Sequence, residues 1–270
     1  MFSDGSNTPS ELVSIAKSKG ISAIALTDHN TISGLEQMEK CAKEQGLEVA
    51  LGSELTCEYF GKEIHMHALF IDLNRTQGIE KFINYIRKIK KERNIELALA
   101  LRLDGYDVDF YELEKKYGDN INRAHFAKKL VENGDVKTVA EAFETILYEG
   151  GKYYKGSARP CALETIESIV NWGFVPVMAH PLLSLTQKEL EEFLPLAKQK
   201  GLEGIEVFYP KFSSEQMQIL NEMCTRFDLI PSGGSDFHGD IKKESQMGDA
   251  NVPYSCYERL AKARSRKIYC

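Results

Sequence analysis

No apolar run in this chain approaches the roughly 20 residues of a membrane-spanning helix, which excludes that class of membrane protein. The opening "MFSDGS" lacks the basic start and apolar stretch of a signal peptide, so no secretory leader is expected. Paired cysteines are missing too. The six cysteines, at 41, 57, 161, 224, 256 and 270, include no pair with metal-ligand or redox spacing, and they read as reduced thiols of a cytoplasmic protein. Positive charge is in short supply: the formal net charge is −6 and the pI about 5.7. That balance argues against duplex nucleic acid as a partner and requires any phosphorylated substrate to be met by local charge. Internal repeats and low-complexity segments are also lacking.

What is present is an apolar fraction of 43% over 270 residues, enough for one large domain or one domain with an insert. Thr8, Pro9 and Glu11 spell a helix start with a capping box, and Gly20 closes that helix. "ISAIALT" (21–27) reads as a buried strand, Ser33 and Glu36 as a second capping box, and "LEVALGSE" (47–54) as the next strand. A hairpin follows, turning at Gly61 and carrying "EIHMHALFID". Residues 75 to about 150 hold four helical patterns and no convincing strand. From 162 onward helices alternate again with the apolar segments "FVPVMAH", "LEGIEVFYP" and "LIPSGGSDFHG". Such alternation implies a parallel sheet, open or closed into a barrel. The expected division is 1–74 with 158–270 as the α/β domain and 75–157 as an all-helical insert.

The strand ends share one chemistry. Strand 21–27 runs into Asp28 and His29, strand 47–53 into Glu54, and the hairpin carries His65 and His67. Strand 174–179 ends in His180, and the last strand is followed by Asp236 and His238. In parallel α/β folds these ends lie on one face, where sites are built, so five of the six histidines would converge there with carboxylates. Taken singly, a strand-end histidine is more often a hydrogen-bonded structural residue. Asp28 by itself reads as a turn cap and Asp4 as a helix-start residue. Five imidazoles together are explained by a divalent metal, because neutral imidazole and carboxylate are the ligands that Zn, Mn and Fe accept. The absence of thiols from these positions favours an open catalytic site over a structural zinc.

"FSDGSNTPSELV", "AIALTDHNTISG", "GSE", "IHMHALFID", "AHP" and "GGSDFHG" resemble the PHP superfamily, the polymerase and histidinol phosphatase domain, over nearly the whole chain. "NRAHFAKKLVENGDVKTVAEAF" resembles the helical insert of its nucleoside 3′,5′-bisphosphate phosphatase and oligoribonucleotide-trimming branch. The resemblance implies a distorted (β/α)7 TIM-like barrel. It implies one metal on Glu54, His65 and His180, another on Asp4, His29 and His238, and a third on Glu54, Asp236 and a His-x-His pair of the first strand. That pair and its strand have no counterpart in the sequence, so the expectation is two divalent ions (Mn, Fe or Zn) and a weakened third site.

The mechanism implied is attack on phosphorus by metal-activated water, with Asp236 and His238 beside it and no covalent intermediate. Arg123 and His125 would hold substrate phosphate at the start of an insert helix, a position that suits anions. Asn30, Lys152 and Tyr154 are further candidate contacts, and a solvated helix start or linker is the competing reading for the insert residues. The expected substrate is a small phosphorylated nucleotide, a 3′,5′-bisphosphate or a short RNA end. Two alternatives remain open: a catalytically impaired PHP module that binds a nucleotide or partner, and a metal-dependent amidohydrolase. The oligomeric state is not legible.

Overall fold

The computed structural model describes residues 2–118, 121–148, 150–154, 159–242 and 244–268. Helix α1 (Pro9–Ser18) opens on the capping box read from the sequence: Glu11 N–H donates to the Thr8 hydroxyl at 3.3 Å and Thr8 N–H donates to Glu11 Oε2 at 2.7 Å. Strand β1 (Ala23–Leu26) and helix α2 (Leu35–Gln45) follow. The capping box expected at Ser33 does not form. The N-cap is Gly34, which offers no side chain, while Ser33 is drawn back into a turn with Thr31, whose hydroxyl accepts from Ser33 N–H at 3.2 Å.

Strand β2 (Glu48–Tyr59) is one continuous element where the sequence suggested a strand and a separate hairpin arm. Its ladder with β3 (Lys62–Leu69) runs unbroken from Gly52↔Leu69 to Tyr59↔Lys62. Phe60 and Gly61 turn the hairpin, both at positive φ, as a type I′ turn requires. Helices α3 (Gln77–Leu103), α4 (Phe110–Tyr117), α5 (Arg123–Asn133) and α6 (Val139–Thr145) come next, with no strand among the described residues of this stretch. The chain resumes with α7 (Ala162–Asn171), β4 (Val175–Met178), a short α8 (Pro181–Ser184) that the sequence did not announce, α9 (Gln187–Gln199), β5 (Gly204–Phe208), α10 (Ser214–Arg226), β6 (Ile230–Gly233) and α11 (Tyr254–Ile268).

Two compact units result: Met1–Ile83 with Pro160–Cys270, and Asn84–Arg159. The expected junction at 157/158 lies outside the described residues. The helical unit has its own core, built on Leu97, Leu101, Phe126 and Leu130. In the other unit six strands form a curled half-barrel sheet in chain order, β1 to β6. β1 is parallel to β2, β3 is antiparallel to both its neighbours, and β4, β5 and β6 run parallel.

Period-two alternation divides the sheet's faces. Leu51, Leu55 and Cys57 of β2, with Ile64, Met66 and Ala68 of β3, point into the core that the helices cover. Ala50, Leu69, Val175 and Val177 point the other way, toward Leu260 of α11. By the same parity Glu54, His65 and His67 belong to this second face. No helix among the described residues is long and apolar enough to cross a membrane.

Two changes probe this frame. A Cβ on Gly204 would stand 2.5 Å from the Ile230 carbonyl oxygen, a backbone atom that no rotamer change can move. Gly204→Ala is therefore expected to cost at least about 1–3 kcal/mol, read as a lower urea midpoint at unchanged m-value. Glu189 caps α9 through Thr186 and accepts from Lys62 Nζ at 2.8 Å. Lys62 foremost, then the Thr186 N–H, hold its carboxyl down to about 2. Its stabilisation is present above the ordinary carboxylate range and is lost as pH falls through that range toward 2. Glu189→Gln should lower the melting temperature at pH 7, with the gap to wild type shrinking at pH 3; a gap that stays constant contradicts this account.

Candidate metal centre

The parallel ladder of β1 and β2 continues past the end of β1, and this continuation delivers the first ligands. Glu54 N–H donates to the Asp28 carbonyl at 3.1 Å, Asn30 N–H donates to the Glu54 carbonyl at 2.9 Å, and His29 bridges Glu54. Asn30 sits at φ 48°, and its carboxamide is engaged at both ends by Thr56. On the other side of β2 the antiparallel register sets Glu54 opposite His67 and Thr56 opposite His65. Glu54 thus becomes a carboxylate on the inner face, flanked by imidazoles from three directions.

The contacts are close. Glu54 Oε1 lies 2.8 Å from His65 Nδ1 and 3.1 Å from His180 Nε2. Glu54 Oε2 lies 3.7 Å from His29 Nδ1 and 3.8 Å from His67 Nε2. The carboxylate is only 5% exposed. Burial pushes its pKa up, but hydrogen bonds from His180, His65 and His67 outweigh this and hold it well below the usual range. His65 is pushed the other way, up to about 10: burial opposes its charge, and Glu54 with Glu63 overcomes the opposition. For His29 burial wins and its pKa is lowered.

A second group stands beside the first. His238 Nδ1 lies 2.7 Å from the Asp236 carbonyl, and its Nε2 is 3.6 Å from Asp4 Oδ2. Asp4 holds the His238 pKa up, and His238 holds Asp4 far below the usual carboxylate range. Donor atoms of Asp4, His29 and His238 all lie within 4.8 Å of one another, and so do those of His29, Glu54 and His65. His29 therefore joins both groups. His180 reaches the group of His29, Glu54 and His65 through Glu54 Oε1.

Asp236, at φ 51°, is placed differently. Its Oδ2 accepts from Lys242 Nζ at 3.0 Å and from the Tyr209 hydroxyl at 3.2 Å, and it belongs to neither donor group. Asp28, half-buried with its pKa raised chiefly by burial, also stays outside them. The donor set fits a divalent ion. It contains imidazoles and carboxylates whose donor atoms lie within 4.8 Å of one another, close enough to share an ion, with no thiol and a hydrogen bond on Nδ1 of His238 that leaves Nε2 for a metal. A cavity of about 750 Å³, lined by residues of both groups, opens beside them between β1 and β6.

The remaining candidates lie in the helical unit. The Arg123 guanidinium stacks 4.0 Å from the Tyr154 ring centroid and donates to the Leu147 carbonyl at 3.3 Å. Tyr154 is buried there at 2% exposure. His125 Nδ1 accepts from Asn122 N–H at 3.1 Å as part of the helix cap, and Lys152 pairs with Asp104. Sequence reading missed Glu206, Tyr209 and Lys242. Glu206 left a signal, being the single carboxylate inside the apolar strand "GIEVF".

Comparison with known proteins gives this cluster its context. The sequence profile of the PHP domain matches residues 1–174. A 5′-3′ exoribonuclease of Haemophilus influenzae is 32% identical, with 93% of each chain covered. A 3′,5′-nucleoside bisphosphate phosphatase of Chromobacterium violaceum is 30% identical over 94% of this chain and 90% of its own. Among solved structures, a protein from Bifidobacterium adolescentis described as a metal-dependent phosphoesterase superposes with a TM-score of 0.75 at 26% identity, covering 97% of this chain and 92% of the other. With its imidazoles and carboxylates gathered at the strand ends, and with likeness to such enzymes over its whole length, this chain belongs to the PHP domain family of metal-dependent phosphoesterases.

Proposed function

We propose that the protein hydrolyses a phosphate ester of a small nucleotide, a 3′,5′-bisphosphate or the end of a short oligoribonucleotide. The observation that carries this reading is Glu54, a buried carboxylate within reach of four imidazoles and beside the Asp4–His238 pair. Asp4, His29 and His238 would hold one divalent ion (Mn, Fe or Zn), and Glu54, His65 and His180 a second. Bound there, such ions polarise phosphoryl oxygens and bring the pKa of water toward neutrality.

The chain's own groups do the rest. Glu54 orients three rings at once. The Asp236 carbonyl accepts from His238 Nδ1–H and fixes the tautomer that turns Nε2 toward Asp4. Asp236, steadied by Tyr209 and Lys242, stands beside the reacting phosphate with His238, and the Lys242 ammonium adds local positive charge for it. A third ion on Glu54 and Asp236 is held weakly, because Lys242 already occupies Asp236 Oδ2. In the helical unit, taken as a substrate-handling domain, Arg123 and His125 would contact a second phosphate. Tyr154, buried beneath the guanidinium, supports Arg123 within that unit. Beyond its bond to the Leu147 carbonyl, the Arg123 guanidinium carries further N–H donors for a phosphate. The fold is read as a (β/α)7 TIM-like barrel frame, of which the described residues supply six strands with β1 and β6 at the two edges of the sheet. The enzyme is taken to work in the cytoplasm on single nucleotides or short single strands.

Three measurements test this. Wild-type protein titrated with Mn²⁺ or Zn²⁺ should bind about two ions, and Glu54→Gln should lose on the order of 100-fold in affinity for one of them, because Glu54 is the carboxylate of that donor group and faces its imidazoles. Metal-loaded protein should release phosphate from adenosine 3′,5′-bisphosphate or from a short RNA, with loss of activity in chelator; stoichiometric metal binding without cleavage of either substrate sinks the reading. Arg123→Ala should raise KM about tenfold or more with a smaller change in kcat, since it would bind ground state and transition state alike. An unchanged KM removes Arg123 from the site.

A further inference from the structure

His180 is an unusual ligand. It ends β4 with φ 26° and ψ 58°, a left-handed conformation that a residue with a Cβ adopts only under constraint. Its ring turns Nε2 toward Glu54, but Nδ1 is buried without a hydrogen-bond partner among the described residues. A metal-binding histidine ordinarily donates its other ring N–H to a carboxylate or carbonyl, which fixes the ring. Here that support is missing from the ring and something else must hold the residue.

Glu206 supplies it. The residue lies in β5, which pairs in parallel with β4 through Val177↔Gly204 and Met178↔Ile205, so its side chain rises beside the end of β4. It is 6% exposed, and its Oε2 accepts from the His180 main-chain N–H at 2.8 Å. Its other oxygen lies under the turn after β6, where a Cβ on Gly234 would stand 3.2 Å away. A buried carboxylate is costly, so one aimed at a single backbone amide is a specific device.

We propose that Glu206 is the positioning residue of the centre: through the His180 amide it holds the strained turn that aims the His180 imidazole at the ion beside Glu54. The inference rests on the metal-binding reading of that site and adds a residue which acts through the backbone. What matters is the acceptor atom, not the charge.

The test compares wild type, Glu206→Gln and Glu206→Leu by calorimetric titration with Mn²⁺ and Zn²⁺, alongside hydrogen exchange of the segment containing His180. Gln keeps an acceptor oxygen, so its affinity should stay within about threefold of wild type, while Leu should weaken binding about 10- to 100-fold. The His180 amide should be protected in wild type and Gln and exchange freely in Leu. Gln as weak as Leu, or Leu as tight as wild type, overturns the proposal. If Leu does not fold, fast exchange of the His180 amide in folded wild type or Gln overturns it equally. Wild type that binds no metal would instead refute the reading of the site, and the exchange arm would still decide whether Glu206 holds the turn.

Discussion

The Glu54 carboxylate is buried, and the arrangement around it follows from that one placement. An isolated buried carboxylate would be protonated or expelled, because its solvation is lost and nothing replaces it. In this protein four imidazoles from three segments of the chain replace it. Burial opposes the charge of His65 and His67, and the carboxylate overcomes that opposition for both. Carboxylate and imidazoles are therefore mutually required. An ion held by the cluster would take over the role that protons play without it.

Backbone strain collects around the same point. Asn30, His180 and Asp236 are non-glycine residues at positive φ, and each follows the end of a different strand. A strand that simply continued would carry its side chains past the cluster. A left-handed residue bends the chain at once toward the next element and throws the neighbouring side chain back over the sheet. The constraint is supplied locally: Thr56 grips the Asn30 carboxamide, Glu206 accepts from His180, and Tyr209 with Lys242 grips Asp236. These gripping residues are as much a part of the site as the groups they hold.

The acidic net charge and a phosphorylated substrate are compatible because the positive groups are concentrated. On the proposed reading, the phosphate is met by the imidazole cluster and by Lys242, which pairs with Asp236. The helical unit is stabilised separately, with Arg93 and Arg123 on the Tyr154 ring beside its own aliphatic core. The sequence offers Tyr154 as a candidate substrate contact. The fold buries it, because an aromatic ring flanked by guanidinium groups is worth more inside than in water.

Much of the sheet-bearing unit could be read from the chain, since its signals are short-range. The Thr8–Glu11 box, the apolar strands and the Phe60–Gly61 turn each depend on residues within a few positions of one another, and they form as expected. The ring of strand-end histidines was legible for the same reason: a polar residue at the edge of an apolar run stands out. The Ser33 cap failed because Thr31 offered a competing turn two residues away, a contest too evenly matched to settle by pattern. Glu206, Lys242 and the gathering of His29 into both donor groups were decided only by tertiary structure. Which strand lies beside which, and in what register, fixes the distance between side chains far apart in sequence. That is a property of long-range packing, and no local stretch of residues encodes it.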